Sequence, residues 1–269
     1  MDNSDQNEDE REVLKALVAR ISKRRCVLVL GPGVAIRVDD PDRRPLDELL
    51  ALDLLAKTPI QAGDTSLSPP SLRRAAGLYF HQKKDRDLLE IAVRDFYACE
   101  SGSTTTFHRD LAHLPFEFCV SASPDSLMPT AFKEAGKEPQ KGYYCFKQAN
   151  DAPPRPTEKR PLVYYLFGYY EDPGSLVLTE EDLIDYLVAV VSRNPPIPDQ
   201  VRSILADPDA SFLFLGFGFH HWYLRVLLKV IGTYDHRSRA VAFEVPQFFE
   251  HPEHAQAVAF FSEDRKSVV

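Results

Sequence analysis

The sequence predicts an α/β fold with a doubly wound, mainly parallel sheet and helical insertions. Two observations predict it. Short segments that are apolar at every position alternate with segments of helical periodicity, and such segments are typical of strands buried on both faces of a parallel sheet. Three of the apolar segments also end abruptly in glycine or in small, turn-forming residues.

The N-terminal half begins with a polar, acidic stretch at residues 1–10, which we expect to be a disordered tail. From Val13 the apolar residues recur at helical spacing and predict an amphipathic helix. Val27–Leu30 then predicts the first buried strand, and loops rich in proline and aspartate surround a helical stretch at Leu46–Leu55. Further helices are predicted near 71–82, near 86–98 and over Thr106–His113.

The second half continues the alternation. Phe116–Val120 and Leu162–Leu166 predict the second and third strands, with a proline-rich surface loop at Ala149–Pro161 before the third. Thr179 and Asp182 have the spacing of a capping box, which predicts the start of a helix that ends near Val191. The remaining predicted elements are a strand at Phe212–Leu215, a helix at His220–Ile231 and a strand at Ala240–Val245.

No internal repeat or convincing domain break divides the chain, so we expect residues 11–269 to form a single domain. The chain stops at Asp264–Val269, which has the pattern of a turn followed by the first residues of a strand. Natural domains seldom end in such a segment. We therefore expect this domain to be excised from a longer polypeptide.

The composition argues against several classes of function. The net charge is −8, whereas non-specific binding to nucleic acid or to anionic membranes needs clustered positive charge. The four cysteines form no Cys-x-x-Cys pair, so no metal site is predicted. No segment approaches about eighteen consecutive apolar residues and the N-terminus is polar, so we expect no membrane span, no signal peptide and a cytoplasmic location.

Three predicted strands end in loops of small or turn-forming residues. The loops are Gly31-Pro32-Gly33, Ser121-Ala122-Ser123 and Gly216-Phe217-Gly218. In an open parallel sheet, ligands bind at the carboxyl ends of the strands, and glycine there lets a ligand approach the backbone closely. Glycine also ends strands for purely local reasons, but three such loops together favour a ligand cleft.

Taken in order, these segments resemble the SIR2-like domains, a sirtuin-related family found in bacterial antiphage defence and signalling proteins. Residues 31–35 are similar to the family's Gly-Ala-Gly-x-Ser loop, and Val120–Asp125 is similar to its Thr-Thr-Asn-Tyr-Asp motif. Leu166–Gly168 is similar to the strand that ends in His-Gly. Phe212–Gly218 with the following His221-Trp222 resembles the family's last strand, glycine turn and tryptophan-bearing helix. The matches span residues 26–245.

The resemblance implies a Rossmann-like, SIR2-type fold and a site for NAD or an ADP-ribose-type nucleotide, without a metal. In active relatives the glycine-loop amides hold the diphosphate, the asparagine and aspartate of the second motif lie beside the nicotinamide ribose, and the histidine is the general base. The catalytic positions carried over are Ser123 and Asp125. Arg37, just past the glycine loop, could neutralise a phosphate. The nucleotide-binding candidates are Gly31, Gly33, Val34, Ala35, Arg37, Phe167, Gly168, Gly216, Phe217 and Gly218.

The sequence departs from the family pattern at several of these positions. Ala35 replaces the loop serine, and Pro32 has no amide hydrogen to offer a phosphate. Ser123 replaces the asparagine, and Phe167 replaces the histidine. A phenyl ring cannot accept a proton, so general-base catalysis at that position is impossible. Asp125 is the retained catalytic residue, and His108, His220 and His221 are candidate replacement bases.

Three functions remain open. The first is a catalytically inactive module that binds a nucleotide and senses, regulates or scaffolds within a defence or signalling protein. The second is an active NAD glycohydrolase that uses Asp125 with a displaced histidine. The third is a ligand-free oligomerisation or interaction domain, which the aromatic clusters Tyr143-Tyr144 and Tyr164–Tyr170 favour if they are exposed. The expected partners are a nucleotide ligand, a second copy of the chain or flanking domains of the parent protein, and neither nucleic acid nor a membrane.

Overall fold

The computed structural model describes residues 3–58, 71–101, 104–218, 221–230, 239–243 and 267–268. The α-helices of these residues are α1 Asn3–Ser22, α2 Leu46–Ala56, α3 Leu72–Lys83, α4 Arg86–Glu100, α5 Thr106–His113, α6 Leu127–Glu134, α7 Glu180–Ser192, α8 Asp199–Leu205 and α9 Trp222–Val230. The strands are β1 Cys26–Leu30, β2 Phe118–Ser121, β3 Gln140–Tyr143, β4 Leu162–Tyr165, β5 Ser211–Leu215, β6 Arg239–Phe243 and β7 Ser267–Val268.

The strands of the described residues form one parallel sheet in the order β3-β4-β2-β1-β5-β6-β7. β1 lies between β2 and β5, so the chain builds one side of the sheet first and the other side later. The strand order therefore reverses at β1 and β5, as in a doubly wound sheet. Helices α2 to α5 are inserted between β1 and β2. The predicted fold class is confirmed, and each of the five predicted strands lies in this sheet.

The central strands β1, β2, β4 and β5 are buried at every position. Successive residues of β1 enter different cores, because side chains of a strand alternate between the two faces of the sheet. Leu28 and Leu30 pack in a core with α1 to α6, whereas Val27 and Val29 pack in a second core with α7 to α9. This two-sided burial explains why the strands are apolar at every position.

The outer strand β3 was not predicted from the sequence. Its residues Gln140, Lys141 and Gly142 are polar or small and are exposed or half-buried, so it lacks the continuous apolar pattern of the central strands. β3 forms because it pairs with β4 in the folded protein. In this parallel pair Gln140 lies opposite Leu162 and Tyr143 lies opposite Tyr165.

The N-terminal helix is longer than the apolar pattern predicts. α1 begins at Asn3, before Val13, where the predicted amphipathic pattern starts. No apolar spacing in residues 3–10 predicts this part of the helix. Near its other end, Arg20 Nη1 donates a hydrogen bond to Ser211 Oγ over 2.6 Å and joins α1 to β5. No helix in the described parts of the chain is both long and apolar enough to cross a membrane.

The aromatic clusters are core residues, so they do not support the alternative of an interaction domain with an exposed aromatic surface. Tyr143 is half-buried, and the others are buried. Tyr164 and Tyr165 are consecutive in β4 and enter the two opposite cores. Those that are buried are Tyr144, Tyr164, Tyr165, Phe167, Tyr169 and Tyr170.

Candidate functional site

A cleft of about 310 Å³ lies at the carboxyl ends of the central strands. Loops that follow β1, β2 and β4 form one side of it, and residues of α2, α3, α4 and α9 form the other. Ser123 and Phe167 line this cleft. Its position at the carboxyl edge of a doubly wound sheet, beside the reversal of strand order, is where such folds bind ligands.

The loop after β1 brings the first turn of α2 to the cleft. Ile36 forms an isolated antiparallel bridge with Pro45, and the amide of Leu46 donates to the carbonyl oxygen of Ala35 over 2.7 Å. The segment between Ile36 and Pro45 therefore forms a closed loop whose two ends are hydrogen-bonded to each other. As a result, Asp47 and Glu48 line the cleft, and Asp47 Oδ1 accepts a hydrogen bond from the Glu48 amide over 2.9 Å. Burial raises the pKa of Asp47, against the opposing effects of the Glu48 amide and the Arg73 guanidinium.

Two buried hydroxyl groups line the inner part of the cleft. Tyr97 on α4 is 1% exposed and Ser123 after β2 is 4% exposed. Neither hydroxyl oxygen forms a hydrogen bond of good geometry among the described residues, although the Ser123 hydroxyl lies close enough to Tyr97 and to Asp125 to act on the pKa of each. Burial raises the pKa of Tyr97, the carboxylates of Asp47 and Asp125 raise it further, and the Ser123 hydroxyl lowers it. The cleft therefore contains polar atoms that the folded chain does not satisfy.

An arginine and aromatic rings form another part of the cleft lining. The guanidinium carbon of Arg73 lies 4.3 Å from the centre of the Tyr223 ring and 5.8 Å from that of Phe167. Its Nη1 donates to the Tyr223 hydroxyl over 2.9 Å, and its Nε is buried without a partner among the described residues. Phe167 also packs against Tyr186, with ring centres 5.0 Å apart. This part of the cleft combines flat apolar faces with one positive charge.

The glycines after β1 and β5 pack against each other. A Cβ at Gly31 would overlap the carbonyl oxygen of Gly216, and one at Gly33 would lie 3.0 Å from the same oxygen. Gly216 has a φ of +56°, and a Cβ there would lie 2.9 Å from the amide nitrogen of Val34. The absence of a side chain at Gly31, Gly33 and Gly216 therefore allows the two loops to pack against each other. None of these three glycines is part of the cleft lining.

The amides of the first glycine loop are hydrogen-bonded within the protein. Gly31 donates to the carbonyl oxygen of Leu215 over 3.0 Å, and Gly33 donates to that of Gly216 over 3.1 Å. The amides of the next residues, Val34, Ala35 and Ile36, donate to carbonyl oxygens of residues 31, 32 and 34. Pro32 has no amide hydrogen. This loop as folded does not fit the diphosphate of NAD, because it has no free amide hydrogen from residue 31 to 36.

Asp125 is not part of the cleft lining. Together with Val34, Ala35 and His108 it lines a separate interior cavity of about 10 Å³. Its Oδ1 accepts a hydrogen bond from the amide of Leu127, the first residue of α6, over 2.8 Å. Burial raises the pKa of Asp125, and the Ser123 hydroxyl and the Leu127 amide oppose that shift.

The remaining nucleotide-binding candidates also have structural contacts. The Arg37 guanidinium forms a two-point ion pair with Glu100 on α4, with N–O distances of 3.1 and 2.5 Å. Gly168 has a φ of +84°, and a Cβ there would overlap the carbonyl of Ser175. Phe217 is fully buried, with its ring 5.3 Å from that of Phe214. Gly218 has a φ of +73°.

The candidate histidines lie in different places. His108 is buried, and its Nδ1 lies 2.7 Å from Thr105 Oγ1. The same Thr105 oxygen accepts a hydrogen bond from the His108 amide over 3.2 Å, so Thr105 contacts both the backbone and the ring of this histidine. Burial lowers the pKa of His108 to about 4. His221 lines the cleft and stacks on Tyr223 with ring centres 5.3 Å apart. His220 lies outside the described residues.

Four cleft residues were not singled out from the sequence as site candidates. Asp47, Arg73, Tyr97 and Tyr223 come from four different helices, and only the fold brings them together. Asp47 is an acidic residue in the first turn of α2, but acidic residues are common at that position because they interact favourably with the helix dipole. Its place in the sequence therefore did not mark it as a site residue. The described residues contain no group of His, Cys, Asp and Glu side chains able to hold a metal ion.

The comparisons with known proteins identify one family. A search of curated proteins gives no significant match. The family model of the SIR2-like domain matches residues 120–260, which is more than half of the 269 residues. The matched region includes Ser123, Phe167 and the loop after β5, whereas the glycine loop after β1 lies outside it. The chain belongs to the SIR2-like domain family.

Proposed function

We propose that this chain is a SIR2-like binding module whose cleft holds an NAD-derived ligand without hydrolysing it. Family membership relates the cleft to NAD chemistry. The module would then act as a sensing, regulatory or scaffolding part of a bacterial defence or signalling protein.

The observation that carries the proposal is the environment of Phe167. This residue follows β4 and lines the cleft at the position that the resemblance assigns to the general base, but its ring is packed among those of Tyr186 and Tyr223. Hydrolysis of a glycosidic bond needs a positioned water, and a general base typically contributes about 10²–10⁴-fold to the rate. Phe167 supplies neither a base nor a hydrogen bond.

An active NAD glycohydrolase is the second candidate, because His221 lines the same cleft. It would replace the missing base, with Asp125 as the retained carboxylate. Asp125 is buried, is not part of the cleft lining and accepts a hydrogen bond from the Leu127 amide, which makes it a poor group for direct contact with a ligand in the cleft.

Two measurements on the purified chain separate these candidates. Isothermal titration with NAD and with ADP-ribose measures binding, and an assay of nicotinamide release measures hydrolysis. We expect heat of binding without nicotinamide release above a buffer blank. Release that His221→Ala or Asp125→Ala abolishes would establish the hydrolase instead. Neither binding nor release would favour an interaction domain without a ligand.

A further inference from the structure

The hydrogen-bonding groups of the cleft match a ligand with several hydroxyl groups. Tyr97 Oη and Ser123 Oγ are buried and line the cleft without partners among the described residues, which is unfavourable unless a ligand supplies them. Asp47 lines the same cleft, its Oδ1 accepts from the Glu48 amide over 2.9 Å, and its carboxylate acts electrostatically on Tyr97. Two hydroxyls that both donate and accept, with a carboxyl group beside them, suit the vicinal hydroxyls of a ribose.

The rings in the cleft supply a second type of contact. Phe167 and Tyr223 line it, and the Arg73 guanidinium lies over the Tyr223 ring. Aromatic and guanidinium planes stack on nucleobases and other flat heterocycles without needing a particular hydrogen-bond pattern. A cleft of about 310 Å³ is near the lower end of the range of roughly 300–1,000 Å³ for small-molecule sites.

The same surroundings disfavour a diphosphate. The glycine-loop amides of residues 31–36 are bonded to protein carbonyls, so they offer no phosphate contact. Of the charged side chains that line the cleft, Asp47 and Glu48 are carboxyl groups and Arg73 is the single guanidinium in the described lining. Arg73 also donates to the Tyr223 hydroxyl. The two carboxyl groups repel the negative charges of a diphosphate, and the single positive charge of Arg73 does not balance the combined negative charge of these carboxyl groups and the diphosphate.

We infer that the cleft recognises a ribonucleoside, with Asp47, Tyr97 and Ser123 contacting the ribose and Tyr223 and Phe167 contacting the planar ring, and that a diphosphate adds nothing to affinity. This ligand class refines the proposed function and rests on it.

The first test compares ligands that differ in phosphate. The wild-type chain is titrated with adenosine, nicotinamide riboside, ADP-ribose and NAD under the same conditions. We expect at least one nucleoside to bind as tightly as ADP-ribose and NAD, or more tightly. Tighter binding of ADP-ribose or NAD than of both nucleosides would overturn the inference and leave the proposed function intact. No binding of any of the four would overturn both.

The second test uses matched tyrosine variants. Tyr97→Phe removes a buried hydroxyl that has no partner, so the free protein should fold as stably as the wild type, while nucleoside affinity falls by about 3- to 10-fold. Tyr165→Phe is the control, since its hydroxyl is also buried and unpartnered among the described residues but lies at the small interior cavity. Equal affinities of the two variants would overturn the assignment of Tyr97.

The third test addresses the carboxyl group. Asp47→Asn should weaken nucleoside binding by about tenfold, because the amide accepts hydrogen bonds from hydroxyls less strongly than a carboxylate. Asp53→Asn lies on the same helix, where its carboxylate pairs with Lys57 over 2.6 Å, and should leave affinity unchanged. If Asp47→Asn instead strengthens the binding of ADP-ribose above that of both nucleosides, the carboxyl group excludes phosphate without contacting ribose, and its assigned role is wrong.

Discussion

The amide nitrogen of Gly33 donates a hydrogen bond to the carbonyl oxygen of Gly216 over 3.1 Å. This bond joins the loop after β1 to the loop after β5, the two strands at which the strand order reverses. In a doubly wound fold, that crevice is the usual place for a nucleotide phosphate. Here the two loops close on each other, and the cleft is lined instead by residues of the first turns of α2, α3 and α9 and of the last turn of α4.

The close packing of these loops predicts that Gly216→Ala destabilises the protein. A side chain at a φ of +56°, with its Cβ 2.9 Å from a backbone amide, should lower the free energy of unfolding by about 1–3 kcal/mol. Urea denaturation measures the change. The control is Gly77→Ala in α3, where a Cβ meets nothing within 4 Å and alanine should raise stability by about 0.5–1 kcal/mol. Unchanged stability of Gly216→Ala would contradict the packing.

The capping box of α7 should support the cleft wall formed by Leu176–Leu178. Asp182 Oδ2 accepts hydrogen bonds from the amides of Thr179 and Leu178 and from Arg86 Nη1, at 2.9, 3.0 and 2.8 Å. Asp182→Ala leaves all three donors without this acceptor, and we expect it to lower the free energy of unfolding by about 2 kcal/mol.

The exposed Asp185 on the same helix provides the control for this change. Asp185→Ala should alter stability by less than about 0.5 kcal/mol, because surface substitutions away from caps and cores have small effects. A thermal melt of both variants checks the difference. Equal melting temperatures would show that the Asp182 contacts contribute nothing.

Burial of His108 predicts a loss of stability in mild acid. Its pKa is about 4 in the folded chain and about 6.5 when exposed, so between these values the unfolded chain binds a proton that the folded chain does not. Stability is therefore fully present above pH 6.5 and falls as the pH is lowered to about 4, by about 3 kcal/mol from this residue.

Comparison with His108→Gln isolates this contribution. Asp125 lines the same interior cavity, and its raised pKa makes stability change with pH in the opposite direction. Because the wild type and the His108→Gln variant both contain Asp125, its effect cancels in the comparison. Urea denaturation at several pH values should show a flatter profile for the variant. Parallel profiles from pH 6.5 to 4 would mean that His108 is not buried in its neutral form.

Restoring the family's catalytic residues should not restore NAD hydrolysis. The double variant Phe167→His with Ser123→Asn supplies a base and an amide, but the amides of the glycine loop still donate to protein carbonyls. We therefore expect no nicotinamide release from NAD beyond the buffer blank, with the melting temperature measured to verify folding. Release by the double variant and not by the wild type would mean that the loop opens to admit the diphosphate.

The sequence by itself determined the central sheet. Each of the five predicted strands is buried on both faces, and a position that faces a core on either side has to be apolar. Local chemistry also predicted the capping box of Thr179 and Asp182 and the placement of α5 at Thr106–His113. Polar segments carry no such periodic signal. For that reason β3 and the first turns of α1 were not predicted.

Only the tertiary structure decided which residues share the cleft. Asp47, Tyr97 and Ser123 are far apart in sequence, and no spacing predicts that helices α2 and α4 bring two of them to the end of β2. The sequence shows that the loops after β1 and β5 contain glycines, but it does not show whether a ligand or another backbone segment packs against them. Their role depends on the neighbouring atoms, and here the neighbour of Gly33 is the carbonyl of Gly216.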